Sequence, residues 1–318
     1  MQEKMAFVFP GQGAQHVGMG ADIFHEYAAA RHVFEQVSDY VGRDIAHICF
    51  YGPTDVLNKP ENTSLGTFAN SVAIANIVAD EFDTPIYKIA YAVAGHSAGQ
   101  YAALHCADSL TMRDAVALLS ARATYMSAVT GGMACIVGLP LDTVRQILDD
   151  AKHDGFAAIS NHNSYDQFVI SGKDAAIDRV VVLGRERGAK LARRLNVAIP
   201  AHCALMRDAA KKLREELSEI NVESPRTNWF SNETANIMNN PIDVKNALAD
   251  QMTHGVRWLE IMEKFPEYKI TRAYELGPGQ TLTRLINRTI GDRCVAAPCN
   301  NLATLRNMLA TIEKNLKR

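Results

Sequence analysis

Apolar and polar positions alternate along this chain in two ways that together predict a mixed α/β protein. Short, mainly apolar runs that end near glycine predict buried strands at 5–9, 86–94 and 272–276. Longer segments with apolar residues at helical spacing predict helices over 20–42, 67–82, from 101 onward, and over 114–128. Strands that alternate with helices favour a sheet with parallel pairing.

The pattern changes to shorter elements after Thr130-Gly131-Gly132. Strand, helix, strand, strand, helix and strand are predicted in turn over 133–139, 141–152, 156–160, 167–171, 173–187 and 189–197. This βαββαβ order fits a small ferredoxin-like α+β unit. We therefore expect one large α/β domain in two pieces, 1–129 and 198–318, interrupted by a small subdomain at 130–197.

Composition narrows the classes of function. The 318 residues carry a net charge of −2, with 47% hydrophobic and 21% charged residues, which argues against a dedicated nucleic-acid binder. The six cysteines form no C-x-x-C pair and no zinc spacing, so we expect free thiols and no metal site. The N-terminal residues lack a signal-peptide pattern, and no apolar run is long enough to cross a bilayer. These features predict a cytoplasmic protein without a membrane partner.

The sharpest chemical signal is Gly95-His96-Ser97-Ala98-Gly99, a G-x-S-x-G motif between a predicted strand and a predicted helix. This setting is typical of a nucleophile elbow and of an α/β-hydrolase-like domain. The glycines permit a tight turn that exposes the Ser97 hydroxyl. The helix that follows directs backbone N–H groups toward the site, so the Ala98 N–H is a natural oxyanion donor. We expect Ser97 to be an acylated nucleophile.

A nucleophilic serine needs a base, and the chain has ten histidines. His96 is adjacent to Ser97, but neighbouring residues on such a turn point apart. His202 stands out because it follows Ile199-Pro200-Ala201, an extended segment that enters a helix in the second piece of the large domain. The residues alone leave this choice open.

Several segments, taken in order, resemble the malonyl-CoA:acyl-carrier-protein transacylases, the acyltransferases of fatty-acid and polyketide synthesis. The resemblance covers nearly the whole chain. Its motifs are FVFPGQGAQ (7–15), AGHSAGQ (94–100), SARATYM (120–126), NHNSYDQFVISG (161–172), GAK (188–190), IPAHCALM (199–206) and YELGPGQTL (274–282).

The resemblance implies a role for each matching residue. Ser97 is the acylated nucleophile and His202 the general base. The family uses a main-chain carbonyl in place of a triad carboxylate to orient the histidine, and we assign it to Arg257. The oxyanion hole is formed by the backbone N–H groups of Gln12 and Ala98.

Other pocket residues follow from the same resemblance. Arg122 matches the arginine that pairs with the free carboxylate of the substrate, a task suited to the planar guanidinium fork. Gln12, His96 and Asn163 are further pocket residues, although Asn163 could instead form an Asx-turn.

A basic cluster precedes the segment that carries His202. Lys190, Arg193 and Arg194 are candidates for steering an acidic carrier protein. A charged, solvated strand edge is the competing interpretation.

The implied reaction moves a malonyl group from malonyl-CoA through an acyl-serine to the phosphopantetheine thiol of an acyl carrier protein. It requires no metal or redox cofactor, and we expect a monomer. Either fatty-acid synthesis or a polyketide assembly line could use such an enzyme. An acyl hydrolase acting on carrier proteins, an acyltransferase of non-malonyl specificity and a non-catalytic docking module for carrier proteins are the competing hypotheses.

Three positions depart from the usual family pattern. Gln100 stands where the elbow is normally followed by Glu. Ser64 replaces a pocket glutamine, and Ala201 replaces the Ser or Phe that commonly precedes the base. Because Ser64 and Ala201 are small, we expect a larger pocket, which bears on the acyl preference and not on acyl transfer itself.

Overall fold

Two separate β-sheets organise the chain, one mainly parallel and one antiparallel. The computed structural model describes residues 3–317, so residues 1, 2 and 318 of the predicted domain boundaries lie outside the described residues. The strands within the described residues are β1 (Lys4–Phe9), β2 (Ala92–Gly95), β3 (Gly132–Val137), β4 (Ala157–Ser164), β5 (Gln167–Gly172), β6 (Leu191–Arg194), β7 (Asn228–Phe230), β8 (Ile237–Met238), β9 (Ile270–Leu276) and β10 (Val295–Cys299).

The helices range from single turns to long segments. In chain order they are α1 (Ala21–Glu26), α2 (Ala28–Val41), α3 (Ile45–Tyr51), α4 (Thr54–Leu57), α5 (Pro60–Glu81), α6 (Ile86–Ile89), α7 (Gly99–Cys106), α8 (Met112–Ser127), α9 (Leu141–Asp150), α10 (Asp174–Glu186), α11 (Arg207–Glu219), α12 (Pro241–Asp250), α13 (Trp258–Glu267), α14 (Thr281–Ile290) and α15 (Leu302–Leu316). None of the helices in this described part of the chain is long and apolar enough to cross a membrane.

The larger sheet has the strand order β10-β9-β1-β2-β7-β8. Its strands are parallel except for β8, which pairs antiparallel with β7. Phe9 at the end of β1 pairs with Gly95 at the end of β2. The turns that leave these two strands therefore emerge side by side at the carboxyl edge of the sheet.

Both faces of β1 are buried, which explains its uninterrupted apolar sequence. Phe7 and Phe9 pack into one hydrophobic core, and Ala6 and Val8 pack into a second core on the opposite face together with Trp258. A rigid central strand thus supports the turn that follows it.

The smaller sheet has the strand order β4-β5-β3-β6 and is antiparallel. Its own apolar core contains residues of α9 and α10 packed on one face of the strands. Backbone hydrogen bonds join this sheet to the segment before α13, since His162 N–H donates to the Val256 carbonyl at 2.9 Å. The edge strand β4 is thereby fixed to the rest of the molecule.

Several predicted bounds shift, most clearly that of α5, which begins at Pro60 and not at 67, and two predicted elements differ in kind. The strand predicted over 86–94 is a helical turn, α6, followed by the short strand β2, because the first half of this apolar run closes a turn in which the Ala90 N–H donates to the Ile86 carbonyl at 2.8 Å. The helix predicted over 20–42 is two helices, since Tyr27 adopts the extended backbone conformation (φ −110°, ψ 128°) between α1 and α2.

Candidate active site

Ser97 lies on the sharp turn between β2 and α7, as the sequence predicts. Its φ of 53° is in the left-handed region, which is strained for a residue with a side chain. A Cβ on Gly95 would collide with the backbone of Gly99, and a Cβ on Gly99 would collide with the carbonyl oxygen of Phe9. Glycine is therefore required at both positions for the elbow to pack against β1.

The turn after β1 packs directly against this elbow. A Cβ on Gly11 would collide with the carbonyl oxygen of His96, and the His96 N–H donates to the Phe9 carbonyl at 2.9 Å. Within the described residues, the backbone N–H groups of Gln12 and Ala98 have no hydrogen-bond acceptor. Two free donors thus flank the serine, one from each turn.

His202 contacts the serine from a distant part of the chain. Its Nε2 lies 2.7 Å from Ser97 Oγ, and its Nδ1 lies 2.8 Å from the main-chain carbonyl of Gln251. Because a carbonyl oxygen can only accept, Nδ1 carries the proton and Nε2 is free to accept one from Ser97. The side-chain amide of Gln251 also lies against Nδ1, with its Nε2 2.7 Å away, and this tautomer requires the amide to be turned so that its oxygen faces Nδ1. Like Ser97, His202 has a left-handed backbone, with φ 60°.

The carbonyl that orients His202 belongs to Gln251, so the assignment of this role to Arg257 is wrong. The Arg257 carbonyl accepts the Ile261 N–H within α13, and its exposed side chain pairs with Glu260. Gln251 directly follows α12, where the last carbonyls of a helix lack partners and carry partial negative charge. The end of α12 supplies the acceptor that a triad carboxylate would otherwise provide.

Burial and charge keep His202 neutral. Burial, the positive charge of Arg122 and, to a smaller extent, the neighbouring His96 imidazole together lower its pKa from the usual value of 6.5 to about 3. The hydrogen bond to Gln251 acts in the opposite direction but is outweighed. The resting imidazole is therefore in the form that can accept a proton.

Arg122 lies on α8 with its guanidinium group buried beside the serine. Its Nη2 donates to Ser97 Oγ at 3.1 Å, and the residue is 4% exposed. Its Nε has no protein acceptor, and no carboxylate forms an ion pair with Arg122 among the described residues. An unpaired buried cation is costly, so this site favours an anion supplied from outside the chain.

His96, which precedes the serine, forms a hydrogen bond with Asn163. His96 Nε2 lies 3.0 Å from Asn163 Oδ1, and the imidazole ring packs edge-on against Trp258. Burial lowers the pKa of His96, which leaves a neutral ring whose Nε2–H donates to the amide oxygen. Asn163 thus uses its side chain across the site, on strand β4, and not for a local Asx-turn.

A cavity of about 430 Å³ opens in front of Ser97. The turns after β1 and β2, helix α8 and the small sheet all contribute to its lining, which includes Gln12, Arg122, Asn163 and His202. Its apolar side is formed by Met126, Met133, Val169, Leu195, Ile199 and Ala201. Ala201 lines the cavity, whereas Ser64 is buried on α5 outside its lining, so the small side chain of Ser64 does not widen it. The volume lies in the usual range for small-molecule sites.

The predicted basic cluster is split. Arg194 pairs with Asp174 and Asp178 of α10, so these two carboxylates offset its positive charge. Lys190 and Arg193 are exposed, and neither has an ion-pair partner among residues 3–317. Only these two of the three remain available to a partner.

Two residues near the serine were not found from the sequence. The role of Gln251 depends on a backbone carbonyl, which any residue possesses, so no side-chain pattern identifies it. Asn232 follows β7 and contacts the elbow through its side-chain amide. Only the parallel pairing of β7 with β2 brings this asparagine to Ser97.

Comparison with known proteins identifies the family of this chain. The family model described as an acyl transferase domain matches residues 6–310. The chain belongs to the acyl transferase family. The malonyl CoA-acyl carrier protein transacylase of Haemophilus influenzae is 37% identical over 294 residues, covering 91% of this chain and 93% of the relative.

Solved structures of acyl transferases have the same overall architecture. The malonyl CoA-acyl carrier protein transacylase of Coxiella burnetii is 32% identical with a TM-score of 0.93, covering 98% of both chains. A malonyl-transacylase solved in complex with its type II PKS acyl-carrier protein is also 32% identical, with a TM-score of 0.92 over 97% of this chain and 100% of that chain. The chain is thus an acyltransferase with a mixed α/β fold.

Proposed function

We propose that this acyltransferase transfers a malonyl group from malonyl-CoA to the phosphopantetheine thiol of an acyl carrier protein, through an ester on Ser97. The observation that carries this proposal is the buried, unpaired guanidinium of Arg122, 3.1 Å from the serine hydroxyl. The relatives from Haemophilus influenzae and Coxiella burnetii are both named malonyl CoA-acyl carrier protein transacylases, which supports the same substrate.

The first half-reaction forms the ester. Ser97 Oγ attacks the thioester carbonyl carbon while its proton passes to His202 Nε2. The N–H groups of Gln12 and Ala98 donate to the oxyanion that develops. The carbon–sulfur bond then breaks, and the CoA sulfur leaves with the proton held by His202.

The second half-reaction reverses these roles. The carrier thiol gives its proton to His202, and its sulfur attacks the ester carbonyl of malonyl-Ser97. The bond between the carbonyl carbon and Ser97 Oγ breaks, and Oγ recovers a proton from His202. This sequence uses no metal ion or redox cofactor.

Arg122 couples recognition to this chemistry. A malonyl carboxylate would form a charge-assisted pair with its guanidinium and supply the missing anion. Neutralising Arg122 removes one cause of the low pKa of His202, so a bound malonyl group makes the imidazole a stronger base. An acetyl group lacks the carboxylate and provides neither effect.

The carrier protein is proposed to approach the face that bears Lys190 and Arg193. Both side chains are exposed, and both residues shortly precede Leu195, which lines the cavity. Exposed basic groups accelerate the approach of an acidic partner at low ionic strength. Arg194 is not assigned to this contact because two aspartates already pair with it.

We also propose the finer description of the fold. The main sheet with its serine elbow is consistent with an α/β-hydrolase-like domain formed by 1–129 and 198–318. The order β4-β5-β3-β6 with two helices on one face supports a ferredoxin-like subdomain at 130–197.

The test is an intact-mass experiment in two steps. The protein is first mixed with malonyl-CoA and should gain one malonyl group. Addition of a holo acyl carrier protein should then return the enzyme to its original mass and add the same group to the carrier. Ser97→Ala should gain nothing in the first step.

The competing functions give different results in this experiment. An acyl hydrolase would lose the malonyl group to water quickly without a carrier and would fail to transfer it. A non-catalytic docking module would bind the carrier without gaining mass from malonyl-CoA. Either result would overturn the proposed function.

A further inference from the structure

The nucleophile elbow is held by a side chain that takes no part in the proposed chemistry. Asn232, which is 0% exposed, accepts the Ser97 N–H at its Oδ1 at 2.8 Å and donates from its Nδ2 to the Gly95 carbonyl at 2.7 Å. One amide group therefore bridges the backbone on both sides of His96. The Ser97 N–H can only donate and the Gly95 carbonyl can only accept. The amide oxygen of Asn232 must therefore face Ser97, and its nitrogen must face Gly95.

Asn232 is itself held from two directions. Its N–H donates to Gln100 Oε1 at 3.2 Å, and its carbonyl accepts the Arg257 N–H at 3.0 Å. Gln100 lies in the first turn of α7 and is 1% exposed, so the helix that follows the elbow also holds the residue that bridges it. Because β7 pairs in parallel with β2, Asn232, which follows β7, lies beside the elbow that follows β2.

We propose that Asn232 is a positioning residue that holds Ser97 in its left-handed conformation and aims its hydroxyl at His202. A serine at φ 53° is strained, and such a conformation persists only where its surroundings enforce it. Because the amide oxygen accepts the Ser97 N–H, the N–H of Ala98 remains as the free donor of the elbow. This inference rests on the proposed function only in taking Ser97 as the nucleophile.

Loss of the bridge should act on reactivity and not on substrate affinity. Without Asn232, the Ser97 N–H and the Gly95 carbonyl lose their partners, and the turn can relax toward an unstrained geometry. The hydroxyl then leaves the position 2.7 Å from His202 Nε2. Arg122 and the apolar side of the cavity, which would contact the acyl group, lie on other elements, so we expect them to stay in place.

The test measures how fast a small fluorophosphonate probe labels Ser97 in Asn232→Ala. We expect labelling to slow about 100-fold, since a displacement of about 1 Å in a reacting group can cost that factor. Malonyl-CoA affinity, measured in a Ser97→Ala background so that no ester forms, should be the same with Asn232 and with Ala at 232. If Asn232 contributed only to stability, its loss would not slow labelling while leaving the affinity for malonyl-CoA unchanged.

Asn228→Ala is the matched control. Asn228 lies on the same strand, β7, and its Nδ2 donates to the Tyr91 carbonyl at 2.8 Å, just before β2 and away from the elbow. This variant loses the same kind of hydrogen bond between an asparagine and a neighbouring backbone. We expect it to be labelled at the wild-type rate even where its thermal stability falls.

Asn232→Asp provides a second variant of nearly unchanged size. It keeps an acceptor for the Ser97 N–H but replaces the donor to the Gly95 carbonyl with a carboxylate oxygen, so we expect slow labelling here as well. Labelling of folded Asn232→Ala or Asn232→Asp at the wild-type rate would overturn the proposal, as would an equal loss in Asn228→Ala. Failure of wild-type protein to accept malonyl would instead count against the proposed function alone.

Discussion

Replacing Arg122 with methionine tests the substrate assignment. Methionine fills much of the same volume but carries neither the charge nor the donors. Each hydrogen bond to a charged group contributes about 1.5–3 kcal/mol, so a carboxylate held by two of them loses about 3–6 kcal/mol. At about 1.4 kcal/mol per tenfold, kcat/KM for acylation by malonyl-CoA should fall by a factor of about 10²–10⁴.

Acetyl-CoA provides the internal comparison. Arg122 makes no carboxylate contact with an acetyl group, and its charge lowers the pKa of His202, so acetyl loading should not fall in Arg122→Met. The assay is single-turnover acylation followed by intact mass with both acyl-CoAs. Arg113→Met serves as the control, because Arg113 lies on the same helix with its side chain over the exposed Tyr40 ring. Equal losses for malonyl and acetyl would refute the carboxylate clamp.

Two further predictions follow from buried groups. Because the pKa of His202 is lowered to about 3, fluorophosphonate labelling of Ser97 should stay constant from about pH 8 to about pH 5; half-loss near the usual histidine pKa of about 6.5 would contradict this. Glu275, 0% exposed, accepts the N–H groups of Leu282 and Thr283 at the start of α14. Glu275→Ala should lower the free energy of unfolding in urea by about 2–5 kcal/mol, and Glu275→Gln by less; equal stability of the two variants would be inconsistent with this capping role.

The sequence predicts most directly those elements whose conformation has a single local cause. The β1 run is apolar because both of its faces are buried, and the glycines around Ser97 are required by collisions with neighbouring backbone. The run over 86–94 was assigned wrongly in its first half because a short apolar segment has no periodicity that separates a helical turn from a strand. Tyr27 divides the first helical region without any proline or glycine to signal it.

Within the site, the residues that lie in family motifs could be predicted from the sequence. Residues whose role depends only on tertiary contacts could not. The serine and histidine meet at 2.7 Å as expected, and Arg122 lies beside them. The carbonyl of Gln251 was missed because helix ends are chemically alike in sequence, and Asn232 because its partners lie on another strand. Such roles depend on which elements become neighbours, and one sequence does not specify this locally.

The most direct measurement of the central claim is peptide mapping of the protein after brief exposure to malonyl-CoA. The account predicts one malonyl group on the hydroxyl of Ser97, discharged when a holo acyl carrier protein is added. A malonyl group attached at any other residue, or a folded protein that gains none, would contradict it.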